Sequence, residues 1–367
     1  MRVLRIYHSA VVTEFQQREH VLRRRHGHEV EIVCPPAWPE GGTLVSTSPG
    51  EDSRLHVVQI HGRRQPNWFW YDSSQLREVI RAVRPEIIDL HEEPFSLAAG
   101  GVLRAISRDA PRAKLCVYTA QNLPKRYPPP FSLIERQTLK RAGAAYPCST
   151  EAGQRMRDRG FEGQIHVLPL GVTIPPPREP RPSRPLNVGF VGRLEPYKGG
   201  LIAVRAFASV AAEIDVGMEI IGTGSDEERM RTEADRAGLR DRVRFHGVLT
   251  QDETLERMSS LDIVLVPSLA TSSWKEQFGR VPAQAMAHGA AVIASDSGSL
   301  RDVVDNAGVL VQEGDQEGFN RELARLLEKP DRLEDLRRRG YERAATRFSW
   351  EAVAEGMDAM YRELLDS

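Results

Sequence analysis

The sequence predicts an α/β protein made of two Rossmann-like, doubly wound domains. Three observations predict this fold: short apolar runs alternate with helix-length stretches, one proline-rich segment interrupts the alternation, and the alternation then restarts. Parallel strands need helices on both faces of their sheet, so the alternation indicates an open parallel sheet in each half. The length of 367 residues is too great for one ordinary domain and suits two.

The first predicted domain covers residues 1–172. A helical stretch follows its first strand up to residue 25, and Gly27 stops that helix. Four aromatic residues crowd into residues 66–72, where core packing is the default interpretation and contact with a sugar ring or a lipid surface are the alternatives. The strand candidates are the short apolar runs at 2–7, 29–34, 55–60, 86–90, 114–118, 144–147 and 165–168.

A stiff linker is predicted at residues 173–185, because six prolines within 175–185 are incompatible with a helix or a central strand. The second domain then covers residues 186–348, with a helix from about Gly199. Residues 349–367 contain an amphipathic helix that we expect to cross back to the first domain. The strand candidates of the second domain lie at 186–191, 216–221, 243–245, 262–266, 291–294 and 308–311.

Composition narrows the class of protein. Fifty basic and 51 acidic residues give a formal net charge of −1, so no global field attracts nucleic acid, and no nucleic-acid partner is expected. Cys34, Cys116 and Cys148 have no CxxC spacing and fit a reducing compartment. No apolar run approaches the roughly 20 residues of a membrane helix, and no signal peptide is expected. We therefore expect a cytoplasmic protein.

The strongest local signal is the segment GFVGRLEPYKG at residues 189–199. It follows an apolar strand and opens a helix, which places backbone N–H groups at the carboxyl edge of a parallel sheet. Arg193 and Lys198 add the two cations that a diphosphate needs. The segment is neither a Walker A loop nor a GxGxxG fingerprint, and a surface turn with a basic rim is an equally good interpretation of it alone.

The second signal is EQFGRVPAQAMAHG at residues 276–289, which a buried strand follows. Phe278 and Gly279 are expected at the N-terminus of the helix, a position that favours anions. Glu276 in the loop and Gln284 in the helix are eight residues apart, so both can face one ligand. The alternative is an ordinary amphipathic helix whose polar residues face water.

Together the two motifs, GRLEPYKG and E-x-F-G-(x)4-Q-A-x-A-x-G, resemble the signature of the retaining GT-B glycosyltransferases, in particular glycosyltransferase family 4 (group 1). The resemblance extends over nearly the whole chain, through GHEV at 27–30, PLGV at 169–172 and FSW at 348–350. It implies two Rossmann-like domains facing a cleft, the first binding the acceptor and the second binding a nucleotide sugar.

The resemblance assigns the donor site residue by residue. Arg193 and Lys198 resemble the pair that holds the donor pyrophosphate, and Glu276 resembles the carboxylate that accepts hydrogen bonds from the sugar. Phe278 and Gly279 would offer backbone N–H groups. Gln284 stands where the family usually has a glutamate on the nucleotide ribose, which is a departure from the pattern. Gly192 and Gly222 complete the predicted donor site.

In the first domain, His91 resembles the histidine that the family places near the donor sugar, and we count it with Glu276, Arg193 and Lys198 as catalytic. A structural histidine is the alternative. The adjacent Glu92 and Glu93 are interpreted as polar lining. The acceptor is expected to contact two loops that follow strands, through His8, Ser9, Thr13, Gln121 and Asn122.

The resemblance implies a retaining transfer from a nucleotide diphosphate sugar, with UDP as first guess and GDP as second, to an acceptor hydroxyl by front-face displacement. The chain contains no Asp-x-Asp, so we expect neither a metal nor a cofactor. The alternatives are a nucleotide-sugar epimerase of the same shape and a non-catalytic nucleotide or sugar binder. The arginines at 23–25 and the aromatic residues at 68–71 are the features that keep peripheral contact with the inner face of a membrane as a hypothesis.

Overall fold

A computed structural model describes residues 1–40, 42–50, 54–177 and 185–367. The chain divides into one unit made of Met1–Gly171 with Trp350–Ser367 and a second made of Val172–Ser349. Each unit contains a parallel sheet covered by helices, so the predicted α/β class with two Rossmann-like sheets is confirmed. Residues 178–184 of the predicted linker lie outside the described residues.

Among the described residues, the sheet of the first unit has seven strands in the order β11-β10-β9-β8-β1-β2-β5, and every neighbouring pair is parallel. The strands of the first unit are β1 (Arg2–Ile6), β2 (Glu29–Cys34), β3 (Ala37–Glu40), β4 (Thr43–Ser46), β5 (Leu55–Val57), β6 (Ile60–Gly62), β7 (Phe69–Tyr71), β8 (Ile87–Leu90), β9 (Lys114–Thr119), β10 (Ala144–Pro147) and β11 (Gln164–Ile165). Its helices are α1 (Gln17–His26), α2 (Ser73–Val83), α3 (Leu97–Asp109), α4 (Phe131–Arg141) and α5 (Thr150–Asp158).

Three features of the first unit differ from the prediction. The strands β3 and β4 form an antiparallel ribbon, and so do β6 and β7. The segment after β1 forms two 3₁₀ turns before α1 begins, and Val12 between them is extended. The β-branched run Val11, Val12 and Thr13 explains the late start of the helix, since such residues lose side-chain freedom in a helix.

Two helix layers cover the two faces of this sheet. Leu4 and Ile6 of β1 belong to a core that includes buried residues of α2 and α3, whereas Val3 points to the opposite face. There it packs among buried residues of α1 and of the last helix of the chain, α13 (Trp350–Asp366). The last helix therefore crosses back to the first unit, as predicted.

Among the described residues, the sheet of the second unit has six strands in the order β14-β13-β12-β15-β16-β17, again all parallel. The strands are β12 (Leu186–Val191), β13 (Val216–Ile221), β14 (Val243–Phe245), β15 (Ile263–Val266), β16 (Ala291–Ser295) and β17 (Val309–Val311). The helices are α6 (Gly200–Ala211), α7 (Glu227–Arg236), α8 (Gln251–Met258), α9 (Arg280–Ala287), α10 (Leu300–Val304), α11 (Gln316–Glu328) and α12 (Pro330–Arg343). Of the helices in the described ranges, none combines the length and the apolar character that crossing a bilayer requires.

Candidate functional site

The predicted donor loop begins where two neighbouring strands of the second unit end. Gly192 follows β12 and Gly222 follows β13, with φ values of 139° and 129°. A Cβ atom on Gly222 would lie 2.0 Å from the carbonyl oxygen of Gly192, so only glycine allows the two strand ends to approach this closely. The close approach leaves the loop at 192–199 at the carboxyl edge of the sheet, where parallel α/β sheets bind ligands.

The end of the same loop is held against β15. Gly199 has a φ of 72°, and a Cβ atom there would lie 2.0 Å from the carbonyl oxygen of Pro267. This contact places Lys198, the preceding residue, beside the segment that follows β15. The Lys198 ammonium lies 4.6 Å from the centre of the Trp274 ring, within cation–π range.

An ion pair joins the two sequence motifs. Lys198 Nζ lies 2.7 Å from Glu276 Oε2, and the Ser268 hydroxyl donates to the same oxygen at 3.3 Å. The side chains of Lys198 and Glu276 are 20% and 14% exposed. The pair is thus shielded enough for its charges to interact more strongly than on an open surface, while remaining within reach of a ligand.

Arg193 is the second cation of the loop. Its guanidinium lies 5.4 Å from the centre of the Tyr197 ring, and that ring packs against Trp274 with centroids 4.4 Å apart. Within the described ranges Arg193 forms no ion pair, in contrast to Lys198. A guanidinium held over an aromatic ring with its N–H groups uncommitted is suited to bidentate contact with a phosphate.

The second motif folds as predicted around α9. Gly279, with a φ of 77°, immediately precedes the helix, and Gln284 lies inside it. The Phe278 side chain is only 5% exposed and packs edge-on against Phe348 with centroids 6.0 Å apart. Its ring therefore belongs to the core, and only its backbone can face a ligand.

Gln284, the residue predicted to contact the ribose, has a buried side chain. Its side chain is 5% exposed, and within the described part of the chain its Nε2 atom has no hydrogen-bond partner. Its own carbonyl oxygen accepts from the backbone N–H of His288 at 3.0 Å, which is an ordinary helical bond. A buried amide nitrogen without an acceptor is costly, and a ligand oxygen would relieve that cost.

A cavity of about 190 Å³ brings the donor residues together. It is lined by Gly192, Arg193, Lys198, Ser268, Glu276 and Gly279, among others. Gly222, Phe278 and Gln284 do not line it. Ser268 and Trp274 were not identified from the sequence; the position of Ser268 just beyond a buried strand is the one local signal that could have pointed to it.

In the first unit, His91 lies just beyond β8 and is 6% exposed. Its ring stacks on Tyr118, with centroids 3.9 Å apart and planes 9° from parallel. The Arg5 NH2 group lies 3.2 Å from His91 Nδ1, and the Tyr146 hydroxyl lies 3.1 Å from the same nitrogen. The ring is consequently fixed in both orientation and hydrogen bonding.

These contacts define the tautomer of His91. A guanidinium can only donate, so Nδ1 is the acceptor of the bond from Arg5. The Tyr146 hydroxyl donates its proton to Asp89, and a neutral contact with Tyr146 competes poorly with a charge-assisted bond. The proton of the neutral imidazole therefore lies on Nε2, which makes that atom a hydrogen-bond donor.

Nitrogen-15 NMR of protein labelled at histidine tests this assignment at pH 8, with His91→Gln identifying the signal. We expect Nδ1 to show the shift of an unprotonated nitrogen in the wild type and a mixture of tautomers in Arg5→Met. The exposed Arg136→Met should leave the signal unchanged. A wild-type His91 that carries its proton on Nδ1 would refute the assignment.

A buried network of charges supports Arg5. Its NH1 group donates to Glu19 at 2.6 Å, and Arg18 Nε donates to the other oxygen of Glu19 at 2.6 Å. Arg18 also donates to Asp89, which accepts a further bond at 2.7 Å from the hydroxyl of Tyr361 on α13. The four charged groups are at most 3% exposed, so each depends on its partners.

The predicted acceptor residues do not form one exposed set. His8 Nδ1 lies 2.6 Å from Glu92, while Ser9 is 6% exposed and Thr13 is exposed. Ser9 is buried because its 3₁₀ turn faces the core, so its predicted contact with the acceptor stays a prediction. The interpretation of Glu92 as lining is wrong: it is 2% exposed and accepts bonds from the His8 backbone and the Tyr71 hydroxyl.

Glu93 accepts hydrogen bonds that hold the start of the second predicted loop in place. Glu93 accepts bonds from the Thr119 hydroxyl at 2.7 Å and the Ala120 N–H at 2.9 Å. Gln121 bonds to the Tyr127 hydroxyl at 2.9 Å, and Asn122 is only 1% exposed. Burial raises the pKa of the Glu93 carboxyl to about 7.

This shift predicts a pH-dependent stability. The folded carboxyl keeps a proton that the unfolded chain releases near its ordinary pKa of 4.5, so its stabilising contribution falls as the pH rises through 7. Glu93→Gln removes that loss, and we expect it to be more stable than the wild type at pH 8 by about 1–2 kcal/mol, and equally stable at pH 4.5. Urea unfolding at both pH values measures this. The exposed Glu162→Gln is the control, and an equal effect of Glu93→Gln at the two pH values would show that Glu93 does not cause the pH dependence.

Comparison with known proteins gives the class that these features define. A family model described as Glycosyl transferases group 1 matches residues 176–343, and one described as Glycosyl transferase 4-like domain matches residues 21–171. The HepE protein of Anabaena, solved in complex with UDP, covers 99% of this chain and 100% of its own with a TM-score of 0.72 at 16% identity, which concerns the fold alone. The chain has the GT-B fold.

Two relatives make the assignment more specific. The D-inositol 3-phosphate glycosyltransferase of Xylanimonas cellulosilytica is 30% identical over 369 residues, covering 91% of this chain and 82% of that protein. The protein of the same name from Segniliparus rotundus is 36% identical over 185 residues, covering 48% and 40%. The chain spans about half or less of the length of that relative and several similar ones. The chain belongs to the group 1 glycosyl transferases, glycosyltransferase family 4.

Proposed function

We propose that the chain transfers a glycosyl group from a nucleoside diphosphate sugar to an acceptor hydroxyl with retention of configuration at the anomeric carbon. The observation that carries the proposal is the ion pair of Lys198 with Glu276 around one cavity at the carboxyl edge of the sheet, beside Arg193, for which the described residues supply no ion-pair partner. Uridine diphosphate is the first choice of leaving group, supported by the UDP complex of the HepE protein.

Each residue has a chemical task in this proposal. Arg193 and Lys198 hold the diphosphate, and the N-terminus of α9 adds the partial positive charge of its free N–H groups. When the phosphate draws Lys198 toward itself, Glu276 Oε2 can accept hydrogen bonds from sugar hydroxyls in place of the bond from Lys198. No metal or cofactor is part of the proposal, because these groups supply the positive charge that the leaving diphosphate requires.

The transfer step breaks the bond between the anomeric carbon and the diphosphate oxygen. The acceptor oxygen forms its new bond on the same face of the sugar, and its proton passes to an oxygen of the leaving diphosphate. The products are a glycoside and a nucleoside diphosphate, so atoms and charges balance without a protein nucleophile. His91 takes the role that the family resemblance implies.

The direct test is turnover of the purified chain with UDP- and GDP-sugars and a panel of sugar and cyclitol acceptors. Release of nucleoside diphosphate measures turnover, and proton NMR of the product gives the anomeric configuration. The proposal predicts a glycoside with the donor's own configuration. An inverted product would contradict retention, and an epimerised donor without glycoside would favour the epimerase instead. Binding of donor without any turnover would favour a non-catalytic binder.

Gln284→Glu is expected to keep transfer activity and to tighten binding of the nucleoside diphosphate about fivefold. A carboxylate accepts hydrogen bonds from ribose hydroxyls, and charge-assisted bonds are about twice as strong as neutral ones. Isothermal calorimetry measures the change in Kd. The control is Gln137→Glu, which makes the same substitution at an exposed position on α4 and should leave Kd unchanged. Weaker binding by Gln284→Glu would contradict this prediction.

A further inference from the structure

A groove of about 510 Å³ runs along the outer surface of α3, between α2 and α4 of the first unit. It lies on the helix layer that contributes to the core around Leu4 and Ile6. Its lining includes Arg77, Arg104, Arg108 and Arg141, with Gly100 and Gly101 at one end. Gly101 leaves space in the groove, since it has no Cβ to fill it.

The three helices that form the groove concentrate positive charge. They carry seven basic and three acidic residues, although the whole chain has 50 basic and 51 acidic ones. Arg77 is paired with Asp109 at 2.5 Å, but within the described part of the chain Arg104 and Arg108 form neither a hydrogen bond nor an ion pair. The residues counted are Arg77, Arg81, Arg104, Arg108, Arg136, Lys140 and Arg141 against Glu78, Asp109 and Glu135.

Exposed apolar side chains border the glycine end of the groove. Trp68, Trp70 and Leu133 are 47%, 40% and 56% exposed. Trp70 lies beside Gly101, and the Trp68 ring packs on Phe131, the first residue of α4, with centroids 5.0 Å apart. The exposed tryptophans and the groove arginines together combine an apolar surface with a cationic one.

We propose that this groove surface, formed by the outer faces of α2, α3 and α4 with Trp68 and Trp70, docks on an anionic lipid bilayer. Tryptophan prefers the interface between lipid headgroups and acyl chains, and arginine binds the headgroup phosphates. A small soluble anion would use the arginines but would leave the tryptophans without a role. The docking surface is independent of the proposed reaction, so either can fail without the other.

The surface differs from the one that the sequence suggested. The arginines at 23–25 lie on α1, on the opposite face of the sheet from α3. Arg23 donates to the carbonyl oxygen of Val30, and Arg25 lies 3.4 Å from Glu351. They are therefore not adjacent to Trp68 and Trp70, and the groove arginines take their place.

Co-sedimentation of the full chain with vesicles tests the proposal. We expect binding to vesicles of phosphatidylcholine with 30% phosphatidylglycerol, on the order of tenfold weaker binding in 0.5 M salt, and no binding to phosphatidylcholine alone. Arg104→Gln with Arg108→Gln should weaken binding about 10- to 30-fold. The matched control, Arg236→Gln with Arg240→Gln, removes two exposed arginines of the second unit and should have no effect.

The second variant, Trp68→Ser with Trp70→Ser, should also weaken binding to anionic vesicles. When the wild type binds these vesicles, its tryptophan fluorescence should shift to shorter wavelength. Circular dichroism verifies that all variants are folded. Equal loss in the control pair, equal binding to neutral vesicles, or binding that glycerol phosphate abolishes at millimolar concentration would overturn the proposal. The last result would assign the groove to a soluble phosphate compound.

Discussion

Lys198→Met is expected to lower kcat/KM for glycosyl transfer about a thousandfold. The ammonium is one of three cationic groups that line the cavity, with those of Arg193 and Arg280, and charge stabilisation of a leaving group is commonly worth two to three orders of magnitude in rate. The substitution also removes the positive charge that lies 2.7 Å from Glu276 Oε2, so the Glu276 carboxylate repels the incoming diphosphate more strongly. Initial rates of nucleoside diphosphate release measure the effect.

Lys329→Met is the matched control. This lysine is exposed, comes directly after α11 and lies outside both motifs. Binding of the diphosphate itself should weaken by a smaller factor, about 10- to 100-fold, because the lost contact is strongest when charge develops on the leaving group. A Lys198→Met enzyme with a rate within threefold of the wild type would refute the assigned role.

The largest effect on stability is expected from Asp89→Asn, which should lower the free energy of unfolding of the first unit by about 3–5 kcal/mol. Asp89 accepts from Arg18, Tyr146 and Tyr361, all of them buried. The asparagine removes the negative charge but leaves the buried arginine, and its amide group cannot accept at both positions. Breaking a buried pair on one side is costly for this reason.

Urea unfolding followed by circular dichroism measures the change. Asp158→Asn is the control, because Asp158 is exposed and pairs at the surface with Arg155 at 3.0 Å. We expect this control to cost less than about 1 kcal/mol. If Asp89→Asn costs no more than the control, the buried network does not stabilise the unit. The link from Asp89 to α13 through Tyr361 also predicts that the last helix loosens first, as increased amide hydrogen exchange.

The sheet strands could be predicted because they are buried on both faces and so read as continuous apolar runs. The short antiparallel ribbons could not. In β7, Phe69 and Tyr71 are buried while Trp70 is exposed, an alternation that the sequence presents only as a cluster of aromatics. The two 3₁₀ turns after β1 could not be predicted, because the helical pattern from residue 17 onward is clear and that pattern places the β-branched residues before it in the same helix.

The donor motifs could be located because each is contiguous, with a strand, a glycine and a helix in fixed order. The pairing of Lys198 with Glu276 follows from the neighbouring positions of β12 and β15 in the sheet, which the family resemblance implies but local sequence does not. The contact between Arg5 and His91 joins residues 86 positions apart through the pairing of β1 with β8. Only the strand order reveals it.

Glu92 and Glu93 show a further limit. Two adjacent glutamates after a strand are typical of a solvent-exposed edge of a sheet. In the structure, however, one glutamate binds His8 and the other binds the backbone after β9. The pattern of charge along a chain carries no information about partners that arrive from distant strands. The same holds for Arg104 and Arg108, which form no ion pair within the described residues; this is visible only when the three helices are assembled.

The central claim is that the second unit binds a nucleoside diphosphate through Arg193 and Lys198. Calorimetric titration of the full chain with UDP, GDP, ADP and dTDP, without added metal, tests it most directly. We expect micromolar binding of one diphosphate, UDP first, and loss of that binding in Arg193→Ala with Lys198→Ala. Equal binding by the double variant, or no binding of any of the four by the wild type, would contradict it.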